Sequence, residues 1–431
     1  MEIEEKLKRV FKYRWVIFTM LAFAYFFVYF HRLSLSVVAN DLLSDFKTSA
    51  SVMGLLGSMY FYCYAAMQLP SGLLSDSIGP RKVVSVSLLI AAIGSILFGF
   101  APTIEIAFVG RIMVGLGVSV VFIPTMKILS QWYRVKEFAF MSGILNAVGG
   151  IGALGATWML ALMTGSFGWR LSFELIGVFT LLIVLLVWFF VRDKPDDMGW
   201  PSVVELDVKD GKTSKQSKQI PLLEGMKIVL KEKYFWPVAI WFFIDAGIFF
   251  GFGGLWGGPY LMDVYGLQRS EVGAILSMIA WGMIIGSPLT SFVSDKVLKS
   301  RKKTFMLYTS LLVALFIFLN IFPSGLPIGA LYMIFFMLSV SASSIVVMGF
   351  TTTKELFPVE IVGTSVGSVN IFPFFGGAVF MPIMGKVLDL YPKSPDGAYS
   401  FEAYSTMLLI LLATSIVALG CTFFMKETFP E

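Results

Sequence analysis

The stretch SGLLSDSIGPRK, residues 71–82, sets one acid, two bases, two glycines and a proline between two long apolar runs. The rest of the chain decides how to read it. Its 431 residues are 57% hydrophobic and only 14% charged, with a mean hydropathy of +0.81. Soluble domains carry about a quarter charged residues, and a single water-soluble core stops growing near ~250–300 residues. This chain is too apolar and too long for one such core, so its natural solvent is lipid. A charged cluster between apolar runs is then a turn at a membrane surface.

Apolar runs recur at 15–38, 52–71, 83–102, 104–126, 139–164, 168–191, 235–261, 272–294, 304–324, 327–350, 362–387 and 404–425. Each is long enough to cross a hydrocarbon layer of roughly 30 Å as a helix. The expected fold is an all-α polytopic membrane protein with twelve transmembrane helices. The first run is long and aromatic, lacks a small-residue cleavage site and is followed by others, so it reads as a span and not as a removed signal. With the N-terminus inside, 26 of the 33 Lys and Arg fall on the inner side, six fall outside, and Arg111 lies within a span. This positive-inside bias predicts an integral protein of the cell (inner) membrane with both termini cytoplasmic. It also accounts for the net charge of +5 without a nucleic-acid partner.

Cys63 and Cys421 both lie in apolar runs, so no disulfide framework follows. One His and two such Cys predict no metal site. There is no G-x-x-x-x-G-K-[ST] and hence no ATP drive. No hydrolytic motif is present, so neither an enzyme nor a cofactor is expected.

Residues 192–234 form the one long polar stretch, rich in Lys, Asp and Ser. Six runs precede it and six follow. The expected organisation is an N-terminal six-helix bundle over 1–191, a central cytoplasmic loop over 192–234 and a C-terminal six-helix bundle over 235–431. Within the loop, 220–232 reads as a short amphipathic surface helix. The halves echo each other. SDSIGPRK (75–82) follows the second run, and SDKVLKSRKK (294–303) follows the eighth. KILSQWYRVKE (127–137) with GILN (143–146) leads into the fifth run, and KELFPVE (354–360) with GSVN (367–370) leads into the eleventh. Repeats placed this way mark a secondary transporter.

Gly72, Asp76, Gly79, Arg81 and Lys82 resemble the loop-two signature of the major facilitator superfamily. GRIMVGLG (110–117) resembles its arginine motif, and GGIGALG (149–155) its glycine-rich fifth helix, without the Gly-Pro pair associated with antiporters. The resemblance implies a charge latch. Asp76 pairs with Arg81 or with the positive end of a neighbouring helix, holds one face shut, and releases when the halves rock. Asp295 and Arg301 repeat the pattern, with Ser291 in place of the glycine. The alternative for Arg81 and Lys82 is simple orientation of the spans.

RWVIFTMLAFAYFFVYFHR (14–32) resembles the first span of the organophosphate:phosphate antiporters, and RDKPDDMGWP (192–201) their segment after span six. That likeness implies a phosphate-binding arginine at Arg32, and Lys127 falls where those proteins carry another arginine. Their second substrate arginine has no counterpart, since Phe249, Phe250 or Gly251 stands there, and their span-five histidine is Gly149. Organic anion symporters of the same superfamily resemble YFHRLSLSV (29–37), with His31 in place of their acid and no span-four acid.

Ionisable residues inside spans are costly and commonly functional. Arg32 shares a helical face with Tyr29 and Tyr25, and this face is the first candidate for substrate binding. The other reading of Arg32 is a side chain snorkelling to the surface. Asp245 lies about ten residues, roughly 15 Å, into its run, near mid-membrane, with Trp241 on its face. It is the candidate for proton coupling or substrate contact, against a structural hydrogen bond between helices. Lys127 and Lys354 end spans four and ten at equivalent points and are candidates for substrate binding or for orientation alone.

The expected function is secondary active transport, by alternating access and coupled to protons, of a small polar solute that is anionic or zwitterionic. The expected partners are that solute, protons or a counter-anion, and the lipid bilayer, around a monomer. The alternatives are an organophosphate/phosphate exchanger and a transporter-like ligand sensor.

Overall fold

A computed structural model describes residues 2–203, 222–342, 345–394 and 397–429. Among the described residues, 11 continuous helices are long and apolar enough to cross a membrane. The longest, Lys136–Phe190, is two spans in one. Gly168 within it has φ 74° and ψ 164°, a backbone that glycine adopts at little cost, and the helix breaks there. The chain is therefore an all-α polytopic membrane protein of twelve spans. Span one is Glu5–Leu33, two Ala50–Ile78, three Pro80–Gly99, four Ile104–Trp132, seven Phe235–Tyr265 and eight Arg269–Leu298. Span nine is Arg301–Ile321, eleven Val362–Leu388 and twelve Phe401–Phe424. Span ten comprises Ile328–Ala342 and, further on, Phe350–Leu356. Large apolar side chains such as Val86, Ile93, Phe189, Ile285, Leu409 and Phe423 remain exposed, as lipid-facing positions do.

The stretch 71–82 is less of a loop than its polarity indicates. Span two stays helical to Ile78, and span three begins at Pro80. The whole turn is Gly79, at φ 89°. Pro80 occupies the first helical position, where its missing N–H leaves no bond unmade. Asp76 is thus a residue of the last helical turn. Of the central polar stretch, 204–221 lies outside the described residues. Leu222–Lys231 is a helix, as the amphipathic pattern indicates.

Two compact units are distinguished, and neither is a sequence half. The first holds Met1–His31, Ala66–Gly152 and the described part of Arg170–Gln216. Spans three and four press together in it. A Cβ on Gly110 would stand 2.8 Å from the Gly94 carbonyl oxygen, so small residues let the backbones touch. Polar ties gather where the spans carry their excess of Lys and Arg, here termed the basic end. The Tyr13 hydroxyl donates to the Phe190 carbonyl at 2.8 Å and the Trp132 indole to the Arg192 carbonyl at 3.0 Å. Arg14 pairs with Glu137 at 2.9 Å.

The second unit holds Arg32–Ala65, Ala153–Trp169 and the described part of Ser217–Glu431. Its far end is closed by hydrogen bonds between segments distant in sequence. Asp389 accepts the N–H groups of Ala50 and Ser51 at 2.9 and 2.8 Å, satisfying the open start of span two. Burial raises the Asp389 carboxyl, but these donors, with the Ser51 and Tyr399 hydroxyls, hold it below its ordinary value. Asp263 accepts from Asn40 at 3.0 Å and from the Tyr404 hydroxyl at 2.7 Å. Arg269 pairs with Asp41.

Candidate functional site

Arg32 closes the first span, and its side chain is 7% exposed. A snorkelling arginine keeps its head in water; this one is enclosed by rings. Its guanidinium carbon lies 4.9 Å from the Tyr64 ring centroid, 5.2 Å from Phe374 and 6.0 Å from Phe250. Tyr64 and Phe374 stack at 4.0 Å, and Phe250 meets Phe61 at 4.8 Å. Spans two, seven and eleven each supply part of this cage. Rings hold a cation by their faces, and the guanidinium is planar, with its N–H donors along its edge. Phe250 is one of the three residues, with Phe249 and Gly251, that the resemblance to the organophosphate antiporters leaves for their second arginine.

Tyr25 and Tyr29 lie on the same helix as Arg32, within the first unit. Their rings meet edge to face at 5.3 Å, and Tyr25 also packs on Phe122 at 5.4 Å. A Cβ on Gly149 would stand 2.9 Å from the Tyr29 ring. The glycine that replaces the antiporters' span-five histidine therefore makes room for tyrosine. The Tyr25 hydroxyl donates to Asn146 at 3.4 Å.

Asp245 is fully buried, and neither carboxylate oxygen has a hydrogen-bond partner among the described residues. The residues beside it on span seven face spans nine and ten. The Trp241 indole donates to the Thr309 hydroxyl at 2.8 Å and stands edge-on to Phe305. Phe242 packs on Phe350 at 5.7 Å. Phe243 and Phe250 turn the other way, toward Phe380 and Phe374 of span eleven. Trp241 is thus engaged in helix packing, and the structure does not bring Trp241 and the Arg32 cage together.

The structure pairs the charged residues expected to form the latch differently. Asp76 pairs with Lys127 of span four at 2.7 Å, and Lys127 also donates to the Ser75 carbonyl at 3.1 Å. Arg81 begins a new helix beyond the turn and points elsewhere, over the Trp188 ring at 5.1 Å. Its backbone N–H donates to Asp193, just past span six, at 2.6 Å. Burial pushes the Asp193 carboxyl above its ordinary value, against the pull of that N–H. A Cβ on Gly72 would meet nothing within 4 Å, so packing here does not require that glycine. Lys82 and Lys354 are exposed.

In the second unit Arg301 pairs with Asp295 and, at 3.0 Å, with Glu355 of span ten. It also donates to the Ser294 hydroxyl at 2.7 Å. Its backbone N–H donates to Glu427, just past span twelve, at 2.8 Å. Burial raises the Glu427 carboxyl, but donors including the Ser300 hydroxyl and the Phe429 and Arg301 N–H groups hold it below its ordinary value. Sequence reasoning missed Asp193, Glu355 and Glu427. An acid directly after the last apolar run of each half was the available signal.

The family model described as Major Facilitator Superfamily matches residues 21–381, and again 248–430. The "Probable sulfoacetate transporter SauU" of Cupriavidus necator is 26% identical over 68% of this chain and 67% of its own length. The "Probable galactarate/D-glucarate transporter GarP" of Escherichia coli is 23% identical, over 98% and 96%. The "Membrane sensor protein UhpC" of the same species is 22% identical, over 85% and 84%. Among solved structures, a bacterial homologue of the human lysosomal transporter Spinster superposes with a TM-score of 0.75 at 17% identity, covering 95% of this chain and 96% of that one.

Proposed function

The chain belongs to the Major Facilitator Superfamily, and on that premise we propose that it carries a small organic anion of the carboxylate or sulfonate class across the inner membrane. The observation that carries this reading is the buried Arg32 guanidinium in its aromatic cage. A guanidinium fork suits the paired oxygens of a carboxylate or sulfonate. A phosphate dianion calls for more positive charge, and the resemblance puts Phe249, Phe250 or Gly251, all uncharged, where the antiporters supply it. Relatives named for sulfoacetate and glucarate transport agree with the class.

In this reading the bundles 1–191 and 235–431 rock against each other in alternating access, with both termini cytoplasmic. Arg32 binds the anion, and Tyr25 and Tyr29 extend its helix face. Lys127 joins Asp76, Gly79 and Arg81 in the latch, with Asp295 and Arg301 as its second copy. Asp245 carries the coupled proton. Ionisable residues inside spans are costly and commonly functional, and Asp245 is fully buried.

Uptake by purified protein in liposomes tests the reading, with a panel of carboxylates, sulfonates and phosphate esters under an imposed pH gradient. Saturable uptake of a carboxylate or sulfonate, abolished in Arg32→Ala, is the expected result. Asp245→Asn keeps exchange but loses accumulation against a gradient. Uptake confined to phosphate esters overturns the substrate class, and uptake indifferent to the pH gradient removes the proton. The sensor relative supports a second reading, a ligand sensor, which predicts binding without any uptake.

A further inference from the structure

At the basic end of spans seven and twelve, two cavities adjoin at Lys233 and Tyr234. One, of about 460 Å³, is walled by Trp236, Pro237, Ile240, Cys421 and Phe424. The other, of about 360 Å³, is lined by Lys231, Glu232, Lys233, Leu356 and Lys426. Both lie within the second unit. The first is apolar and the second is cationic, and they meet where two membrane spans end, at Phe235 and Phe424.

Three lysines, Lys231, Lys233 and Lys426, line the polar half. Lys233 Nζ lies 4.9 Å from the Tyr234 ring centroid, and Lys426 Nζ approaches the same ring at 5.7 Å. No ion pair among the described residues joins Lys231, Lys233 or Lys426 to a carboxylate. Glu232, the one acid of the lining, already accepts the Tyr234 N–H at 3.1 Å. On the apolar half, Trp236, Ile240 and Phe424 are 41%, 40% and 74% exposed. The Trp236 indole donates to the Leu230 carbonyl at 3.1 Å. That bond ties the amphipathic helix Leu222–Lys231 to the site, and Ile228 and Leu230 extend the exposed apolar surface along it.

We propose that the paired cavities form a binding site for one anionic phospholipid. Its phosphate sits against Lys231, Lys233 and Lys426, and an acyl chain runs along Trp236, Ile240 and Phe424. Basic pockets at the ends of transmembrane helices take such headgroups, each lysine near the surface adding about 1 kcal/mol, or roughly fivefold in affinity. A free phosphate leaves the apolar half unused. A zwitterionic lipid adds a cation to a site that already holds three. The site does not depend on the identity of the transported solute.

Native mass spectrometry of the purified full chain tests it, with phosphatidylglycerol, phosphatidylcholine or inorganic phosphate added. Wild-type protein is expected to retain one phosphatidylglycerol with at least a tenfold preference over phosphatidylcholine, and millimolar phosphate does not displace it. The double variant Lys233→Gln/Lys426→Gln loses most of that preference, and Lys233→Arg/Lys426→Arg keeps it. Trp236→Ala weakens both lipids alike. The proposal is overturned if the Gln variant holds phosphatidylglycerol as wild type does. It is also overturned if inorganic phosphate competes fully, which would assign the site to the free ion, or if phosphatidylcholine binds equally well.

Discussion

The two charge clusters at the basic ends of spans two and eight descend from one sequence pattern and are built differently. In the first, Asp76 and Lys127 form a single pair, with side chains 73% and 39% exposed. In the second, Arg301 is 11% exposed and bridges two acids, Asp295 and Glu355. Both use the same trick beside the pair. The acid after the last helix of the half, Asp193 or Glu427, receives the N–H that opens its third helix, Arg81 or Arg301. The difference lies in solvent. An exposed pair contributes little, typically about 0–1 kcal/mol, whereas ion pairs around a largely buried cation are screened less and contribute more. The first cluster is therefore the cheaper of the two to break, and the second the costlier.

Arg301→Ala gives the largest expected effect. It removes the shared cation of Asp295, 49% exposed, and Glu355, 22% exposed, and should destabilise the protein by about 1–2 kcal/mol, between an exposed pair and a buried one, read as a fall in thermal midpoint. A midpoint within a degree of wild type would erase the contrast between the clusters. Glu427→Gln comes next. It weakens several donated hydrogen bonds and should cost about 1 kcal/mol, discounted for the exposure of the group. Asp193→Asn, made for comparison, should lie within about 0.5 kcal/mol of wild type, because burial already opposes the charge there. Lys127→Ala is the smallest in stability, about 0.5 kcal/mol or less. It should nonetheless change the rate of uptake while leaving solute affinity unchanged. A loss of affinity at normal rate would return Lys127 to the substrate.

Acid separates the two capping carboxylates further. Asp193 has a raised folded value, so the fold binds its proton more readily than the unfolded chain does. Its unfavourable contribution is relieved as pH falls through that value. Glu427 has a lowered folded value. Its contribution is present above the ordinary carboxylate value and is lost as pH falls through the folded one. The midpoint gap between wild type and Glu427→Gln should therefore shrink on acidification, while Asp193→Asn shows no such loss. Parallel profiles would contradict the assignment.

The apolar runs, with runs five and six parted between 164 and 168, and the Gly79-Pro80 turn were legible because each is set by a few neighbouring residues. Partners were not. Asp76 finds Lys127 and Arg301 finds Glu355 across dozens of residues, and no local spacing encodes which cation turns toward which acid. Arg32 shows the same limit. From the first span alone, a buried binding group and a snorkelling anchor read alike. Tyr64, Phe250 and Phe374 settle its burial, and they come from three other spans. Asp245 was legible as an intramembrane acid, but which face of span seven it occupies was decided by Trp241 and Phe242 packing on spans nine and ten.

The central claim rests on Arg32, and direct binding tests it. The affinity of wild type, Arg32→Lys and Arg32→Ala for a carboxylate or sulfonate solute, and for a phosphate ester, is measured by calorimetry on purified protein. Charge-assisted hydrogen bonds are worth about 1.5–3 kcal/mol each. Arg32→Ala should therefore bind the carboxylate or sulfonate at least about tenfold more weakly, with Arg32→Lys between it and wild type and the phosphate ester weak throughout. Unchanged affinity in Arg32→Ala, in a protein that remains folded, would contradict the account.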